Sequence, residues 1–193
     1  MERLLICGDS FSADWTVKYS EPGWPNLLAQ DYAVTNLSQA GCSEYRIHQQ
    51  LQSVDLTQFD HIIVAHTSPY RIYVEQHPIH HNDVLHGHSD LIYSDLVAHV
   101  DTHPEIASAV DFFEQYFDTQ YADFVHTLIC KEIERMTQGL PVLHMINFEQ
   151  QYAFTPAVDF TALFRTNRGL INHYDSLANQ KIYAQLKNLL QKQ

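Results

Sequence analysis

The run Ile62-Ile63-Val64-Ala65, inside Phe59–Ala65, is apolar at every position. A strand of this kind has no face to turn to water, so both of its faces must be covered. Two extended segments precede it: Leu4-Leu5-Ile6-Cys7, within Glu2–Cys7, and Ala33-Val34-Thr35-Asn36. Helical patterns lie between them. Pro25 can open a helix over about 26–31. Ser43 can cap another that carries Ile47, Leu51 and Val54 on one face. The order β-α-β-α-β predicts a parallel sheet with helices on its faces. Val142–Ile146, within Pro141–Asn147, reads as a fourth strand. Asp175 or Ser176 caps a last helix that turns Ala178, Ile182, Leu186 and Leu189 inward. The irregular, aromatic segment Phe148–Gly169 offers no assignable fifth strand.

The rhythm breaks after the third strand. The stretch His66–His103 is too long for an ordinary connection. It reads as an insertion with a short helix around Leu91–Val100. From Pro104 a helical pattern follows through Ile106, Val110, Phe113, Phe117, Tyr121, Phe124 and Leu128, as one bent helix or two, ending near Gly139. The prediction is one domain over residues 1–193, with the insertion at about 68–138.

With 193 residues, 45% of them hydrophobic, the chain is long and apolar enough for one substantial core. The net charge of −12 argues against a nucleic-acid partner. No apolar run approaches membrane-spanning length, and the N-terminus carries no signal-peptide pattern. Three cysteines at no metal-like spacing suit reduced thiols, so a cytoplasmic location is expected.

Gly8-Asp9-Ser10-Phe11 follows the first strand directly. Glycine there permits a tight turn, and polar residues after it stand at the strand's carboxyl end, where ligands bind in open parallel sheets. Ser10 is a nucleophile candidate by position; alternatively, Asp9 and Ser10 make a turn or cap a helix. Loops after the second and third strands carry Asn36-Leu37-Ser38-Gln39-Ala40-Gly41 and Thr67-Ser68-Pro69-Tyr70-Arg71. Asn172-His173 stands just before the last helix.

These blocks resemble the SGNH, or GDSL-like, esterase and lipase family. Gly-Asp-Ser-Phe near the N-terminus matches the nucleophile motif, and Asn36-x-Ser38-x-x-Gly41 resembles the second block. His173 keeps the family's spacing from Ala178-Asn179. The likeness spans about 1–67 and 141–193. It implies a three-layer α/β/α sandwich with a parallel, flavodoxin-like sheet, here with a His/Asp-rich helical insertion after strand three. It also implies Ser10 as nucleophile, His173 as base, and the amides of Ser10 and Gly41 as oxyanion donors. Two positions depart from the family pattern. Thr67 and Ser68 stand where an Asn donor is usual, so their hydroxyls are the candidate third donors. Leu170 stands where the family places its aspartate, so either the orienting acid comes from elsewhere, Asp175 being the nearest in sequence, or the site works as a Ser-His pair.

The chemistry is consistent with that assignment. A serine hydroxyl needs a base within hydrogen-bond reach, and an imidazole titrates near neutrality. Arg71 either holds an anionic group of the substrate or pairs with one of the acids; Asn36 is a second substrate-binding candidate. His66 either lines the site or is a hydrogen-bonded structural histidine.

Between Ile72 and Cys130 there is no Lys or Arg, but there are ten acids and eight of the thirteen histidines. Seven of these, His77, His80, His81, Asp83, His86, His88 and Asp90, fall within fourteen residues. Such groups can ligate a metal, but the spacing matches no specific motif, and neither a metal nor a cofactor is expected. The expected function is a serine hydrolase that cleaves or transfers an ester-linked acyl group of a small-molecule or carbohydrate substrate, with no nucleic-acid or membrane partner and possible self-association. The alternatives are a non-catalytic binding module on the same frame and a metal-binding protein using the insertion.

Overall fold

The computed structural model describes residues 1–81, 83–171 and 173–192. In chain order it contains β1 (Arg3–Gly8), α1 (Trp24–Leu28), β2 (Ala33–Asn36), α2 (Glu44–Gln52) and β3 (His61–His66). A small ribbon follows, β4 (Arg71–Ile72) with β5 (Leu91–Ile92), then α3 (Tyr93–His99), α4 (Ala107–Gln115) and α5 (Thr119–Thr137). The chain ends with β6 (Val142–Ile146), β7 (Ala157–Asp159), α6 (Thr161–Thr166), β8 (Arg168–Ile171) and α7 (Ser176–Leu190). Five strands form one parallel sheet in the order β2-β1-β3-β6-β7.

Alternation along the strands builds two cores. Leu4, Ile6, Ile63, Ala65, Leu143 and Met145 meet Trp24 and Leu28 of α1 and Ile182 and Leu186 of α7. Leu5, Cys7, Ile62, Val64 and Val142 meet Ile47 and Leu51 of α2 and Ile133 of α5. The result is a three-layer α/β/α sandwich. Each fully buried aliphatic side chain stabilises it by about 1.5–3 kcal/mol.

The fifth strand, β7, lies in the segment where sequence offered none. It is three residues long with only Val158 buried, too short for an alternation signal. The expected insertion divides in two. Its last helix, α5, packs on α2 and places Ile129, Ile133 and Met136 against the sheet, so it is the frame's own crossover helix. What is added to the frame is the ribbon, α3 and α4, gathered around a small core of Leu96, Ile106 and Phe113. Buried Asp90 ties this addition to the frame: its carboxylate accepts the Ser43 and Val74 N–H groups (2.8 and 3.1 Å) and lies 3.5 Å from the Arg46 guanidinium.

Under the α2/α5 face lies a buried polar cluster. Glu44 meets His66 Nδ1 at 2.6 Å and accepts the Thr67 N–H at 3.0 Å. His66 Nε2 meets His144 Nδ1 at 2.9 Å, and His126 Nε2 donates to the Thr67 carbonyl at 3.0 Å. His66 is therefore the hydrogen-bonded structural histidine of the two alternatives. Among the described residues no helix is long and apolar enough to cross a membrane.

Candidate active site

Sheet order reverses between β1 and β3, and the loops leaving the carboxyl ends of β1, β2 and β3 converge beside that point, where open α/β sheets bind ligands. Gly8 begins the first loop. A Cβ on it would stand 2.2 Å from Ser12 Oγ and 2.8 Å from Ala65 Cβ, so only glycine lets the chain turn against β3. Two indoles clamp the turn: Trp15 Nε1 donates to the Ser10 carbonyl and Trp24 Nε1 to the Phe11 carbonyl, each at 2.8 Å.

His173 arrives from the other end of the chain on a tight turn that folds back on β8. Tyr174 bridges antiparallel to Arg168 and Ile171, and the Asp175 N–H donates to the Asn167 carbonyl at 3.0 Å. Its backbone is left-handed (φ 57°), which costs a non-glycine residue about 1 kcal/mol or more and persists only where the surroundings enforce it. Buried Asn179 supplies much of that enforcement. It accepts the Trp24 N–H at 3.0 Å and donates to the Ile171 and Asp175 carbonyls at 3.2 and 3.1 Å. Asn172 lies outside the described residues.

His173 Nε2 is 2.8 Å from Ser10 Oγ. The imidazole lies against Phe11, with ring centroids 4.7 Å apart, and beside Trp15 at 6.1 Å. Burial pushes its pKa below the ordinary histidine value; the Asp9 charge opposes this and Arg71 reinforces it. Among the described residues no carboxylate comes within ion-pair distance of the ring. Packing against aromatic rings holds it instead.

Ser10 and His173 open into a cavity of about 920 Å³ that Gly41, Ser68 and Arg71 also line. Gly41 has a left-handed backbone (φ 78°), and a Cβ there would meet Ser89 Oγ at 2.7 Å. A second hollow, of about 620 Å³ with aromatic walls from Tyr45, Tyr73, Tyr116 and Phe117, adjoins at Ser68 and Arg71.

Other sequence candidates are placed differently. Asp175 does not face the imidazole; it is the N-cap of α7, accepting the Ala178 N–H at 2.7 Å and the Asn167 amide at 3.3 Å. The Thr67 hydroxyl is already committed, donating to Asp9 Oδ2 at 2.8 Å. Asn36 lies away from the cavity and ties its own loop to the one after β1, accepting the Ser38 N–H and donating to the Ser12 carbonyl. Arg71 pairs with Asp9 (2.8 Å) and donates to the Cys42 carbonyl (2.7 Å), so of its two readings the structure has the ion pair with an acid, here a buried one. Sequence reasoning passed over Asp9, treated as a turn residue, and the cavity wall formed by His80, His86, Asp95 and His99. Only the density of histidines hinted at that wall.

No protein-family model matches the chain, and no curated protein does. Among solved structures, a crystal structure of "a putative acylhydrolase" from Bacteroides fragilis aligns over 99% of this chain and 87% of that one, at 10% identity and a TM-score of 0.42.

Proposed function

We propose that the chain is an SGNH-like serine hydrolase that cleaves or transfers an ester-linked acyl group. The reading rests on the 2.8 Å contact between Ser10 Oγ and His173 Nε2 at the floor of a large cavity. His173, its pKa lowered by burial, is neutral at pH 7 and accepts the Ser10 proton as Oγ attacks the ester carbonyl. The amides of Ser10 and Gly41 receive the resulting oxyanion. A donor of this kind typically contributes about two to three powers of ten in rate. The imidazolium then protonates the leaving alkoxide, and water, activated by the same imidazole, releases the acid; a sugar hydroxyl in place of that water gives the transfer variant. The aromatic hollow past Ser68 suits the acyl chain, and the His- and Asp-lined half of the cavity suits a polyhydroxy alcohol such as a carbohydrate.

Hydrolysis of short-chain p-nitrophenyl esters by wild type and Ser10→Ala tests the reading. Activity lost in the variant supports it. Equal rates in the two proteins reject it.

A further inference from the structure

The wall of the catalytic cavity contributed by the added segment holds a second group of side chains that the hydrolytic step does not use. His80 Nε2 lies 3.0 Å from Asp95 Oδ2, and His99 Nδ1 lies 3.4 Å from Asp95 Oδ1. One ligating atom from each of the three residues falls within 4.8 Å of the other two. Ligands about 2.0–2.1 Å from a tetrahedral zinc stand about 3.3 Å from one another, so little movement separates this arrangement from a coordinated one. From this geometry we infer that His80, Asp95 and His99 bind a divalent transition-metal ion of the zinc type on the wall of the cavity.

The local construction favours such a site. Asp95 and His99 are one turn apart on α3, which puts both side chains on the same helix face. His99 Nδ1 also lies 2.8 Å from the Asp95 carbonyl, so this nitrogen gives up that hydrogen bond when it coordinates. The loop carrying His80 is braced by His77, a buried ring whose Nδ1 accepts the N–H groups of Ile79 and His80 at 3.2 and 3.1 Å. The His77 and His80 rings lie 4.8 Å apart. Among the described residues Asp95 forms ion pairs with His80 and His99 and with no lysine or arginine, and the ten acids between Ile72 and Cys130 attract a dication. Two imidazoles and one carboxylate leave the fourth tetrahedral position open, to be filled by water or by an oxygen of a polar substrate.

A second cluster, Glu44, His66 and Cys130, also brings three ligand atoms together. Its members are already paired with one another or with His126, and burial pushes the Cys130 thiol up, so it keeps its proton. It serves as the control. After chelator treatment, the whole protein is titrated with cobalt(II) by absorption spectroscopy, and bound zinc is counted by elemental analysis. The expected result is one ion per chain, a tetrahedral cobalt spectrum without a thiolate charge-transfer band, and unchanged binding by Cys130→Ser. Binding should weaken by about a hundredfold or more in His80→Ala, in His99→Ala and in the near-isosteric Asp95→Asn, each shown to be folded by circular dichroism. Absence of stoichiometric binding, a charge-transfer band abolished by Cys130→Ser, or wild-type affinity in all three cavity variants would overturn the inference. None of these measurements depends on hydrolytic activity.

Discussion

Asp9 Oδ2 lies 2.8 Å from an Arg71 guanidinium nitrogen, and both side chains are almost wholly enclosed. The carboxylate also accepts the Phe11 N–H at 2.9 Å and the Thr67 hydroxyl at 2.8 Å. This one residue, immediately before Ser10, therefore fixes the loops after β1 and β3 relative to each other. Breaking a buried pair by removing one partner costs about 3–5 kcal/mol, because the other charge is left uncompensated. Arg71→Met should destabilise by that order. The double variant Asp9→Asn, Arg71→Met should recover a large part of the loss, since no lone charge remains. Chemical denaturation of the three proteins measures this; a double variant no more stable than Arg71→Met would contradict it.

Burial lowers the pKa of the proposed base, His173, despite the opposing Asp9 charge. A base with a lowered pKa stays unprotonated into mild acid. The acid limb of kcat/KM should therefore have its midpoint below the ordinary histidine value of about 6.5. A pH–rate profile on a neutral ester measures it, and a midpoint at or above that value would contradict the buried setting of the ring.

Stability should fall on the acid side of neutrality. Burial and the nearby His66 charge hold His144 down at about pKa 3, and burial holds His77 at about 4. An unfolded chain takes up these protons near pH 6.5, but the folded chain does not. Stability is thus present above about 6.5 and is lost as pH falls from there toward 3–4. Burial raises the Glu44 pKa, but His66 and His126 overcome this and hold its carboxyl well below the usual range. Its contribution is lost as pH falls below the ordinary carboxylate value. His126 has the opposite sign: burial lowers its pKa, but Glu44 and the Thr67 carbonyl raise it above the ordinary value. That contribution is complete below about 6.5 and is lost as pH rises through the folded value. Each pH unit between folded and unfolded pKa is about 1.4 kcal/mol, so the acid-side loss is several kcal/mol. Urea midpoints at pH 7, 6, 5 and 4 should decline steeply; a flat series would refute the buried neutral histidines.

Gly41→Ala tests the second loop. Its left-handed backbone and the close Ser89 side chain both oppose a Cβ, at about 1–2 kcal/mol for the conformation alone. If the Gly41 amide receives the oxyanion, kcat should drop by about ten- to a hundredfold with KM little changed. A kcat equal to wild type would remove that amide from the mechanism.

The frame was legible because β1, β3 and β6 bury both faces and therefore carry apolar runs, broken in β6 only by His144, and because the Ser43 and Asp175 caps announce α2 and α7. Strand β7 was not legible, since three residues with one buried side chain carry no period. The apolar stripe of α5 continues that of α4, so the spacing groups both with the insertion, and nothing in it says that only α5 reaches the sheet. At the site, motif position singled out Ser10 and His173, which meet. The contacts that Asp9 makes with Thr67 and Arg71 join residues 58 or more apart along the chain, which no local pattern encodes. Asp175 illustrates the same limit: one carboxylate suits both a helix cap and an orienting acid, and only the fold shows that the Ala178 N–H takes it.

The most direct test is covalent trapping. Incubation with a fluorophosphonate, followed by intact-mass and peptide mass spectrometry, should find one adduct per chain on Ser10, absent in Ser10→Ala and formed far more slowly in His173→Ala. An unmodified Ser10, or a His173→Ala variant labelled at the wild-type rate, would contradict a nucleophile activated by the imidazole 2.8 Å away.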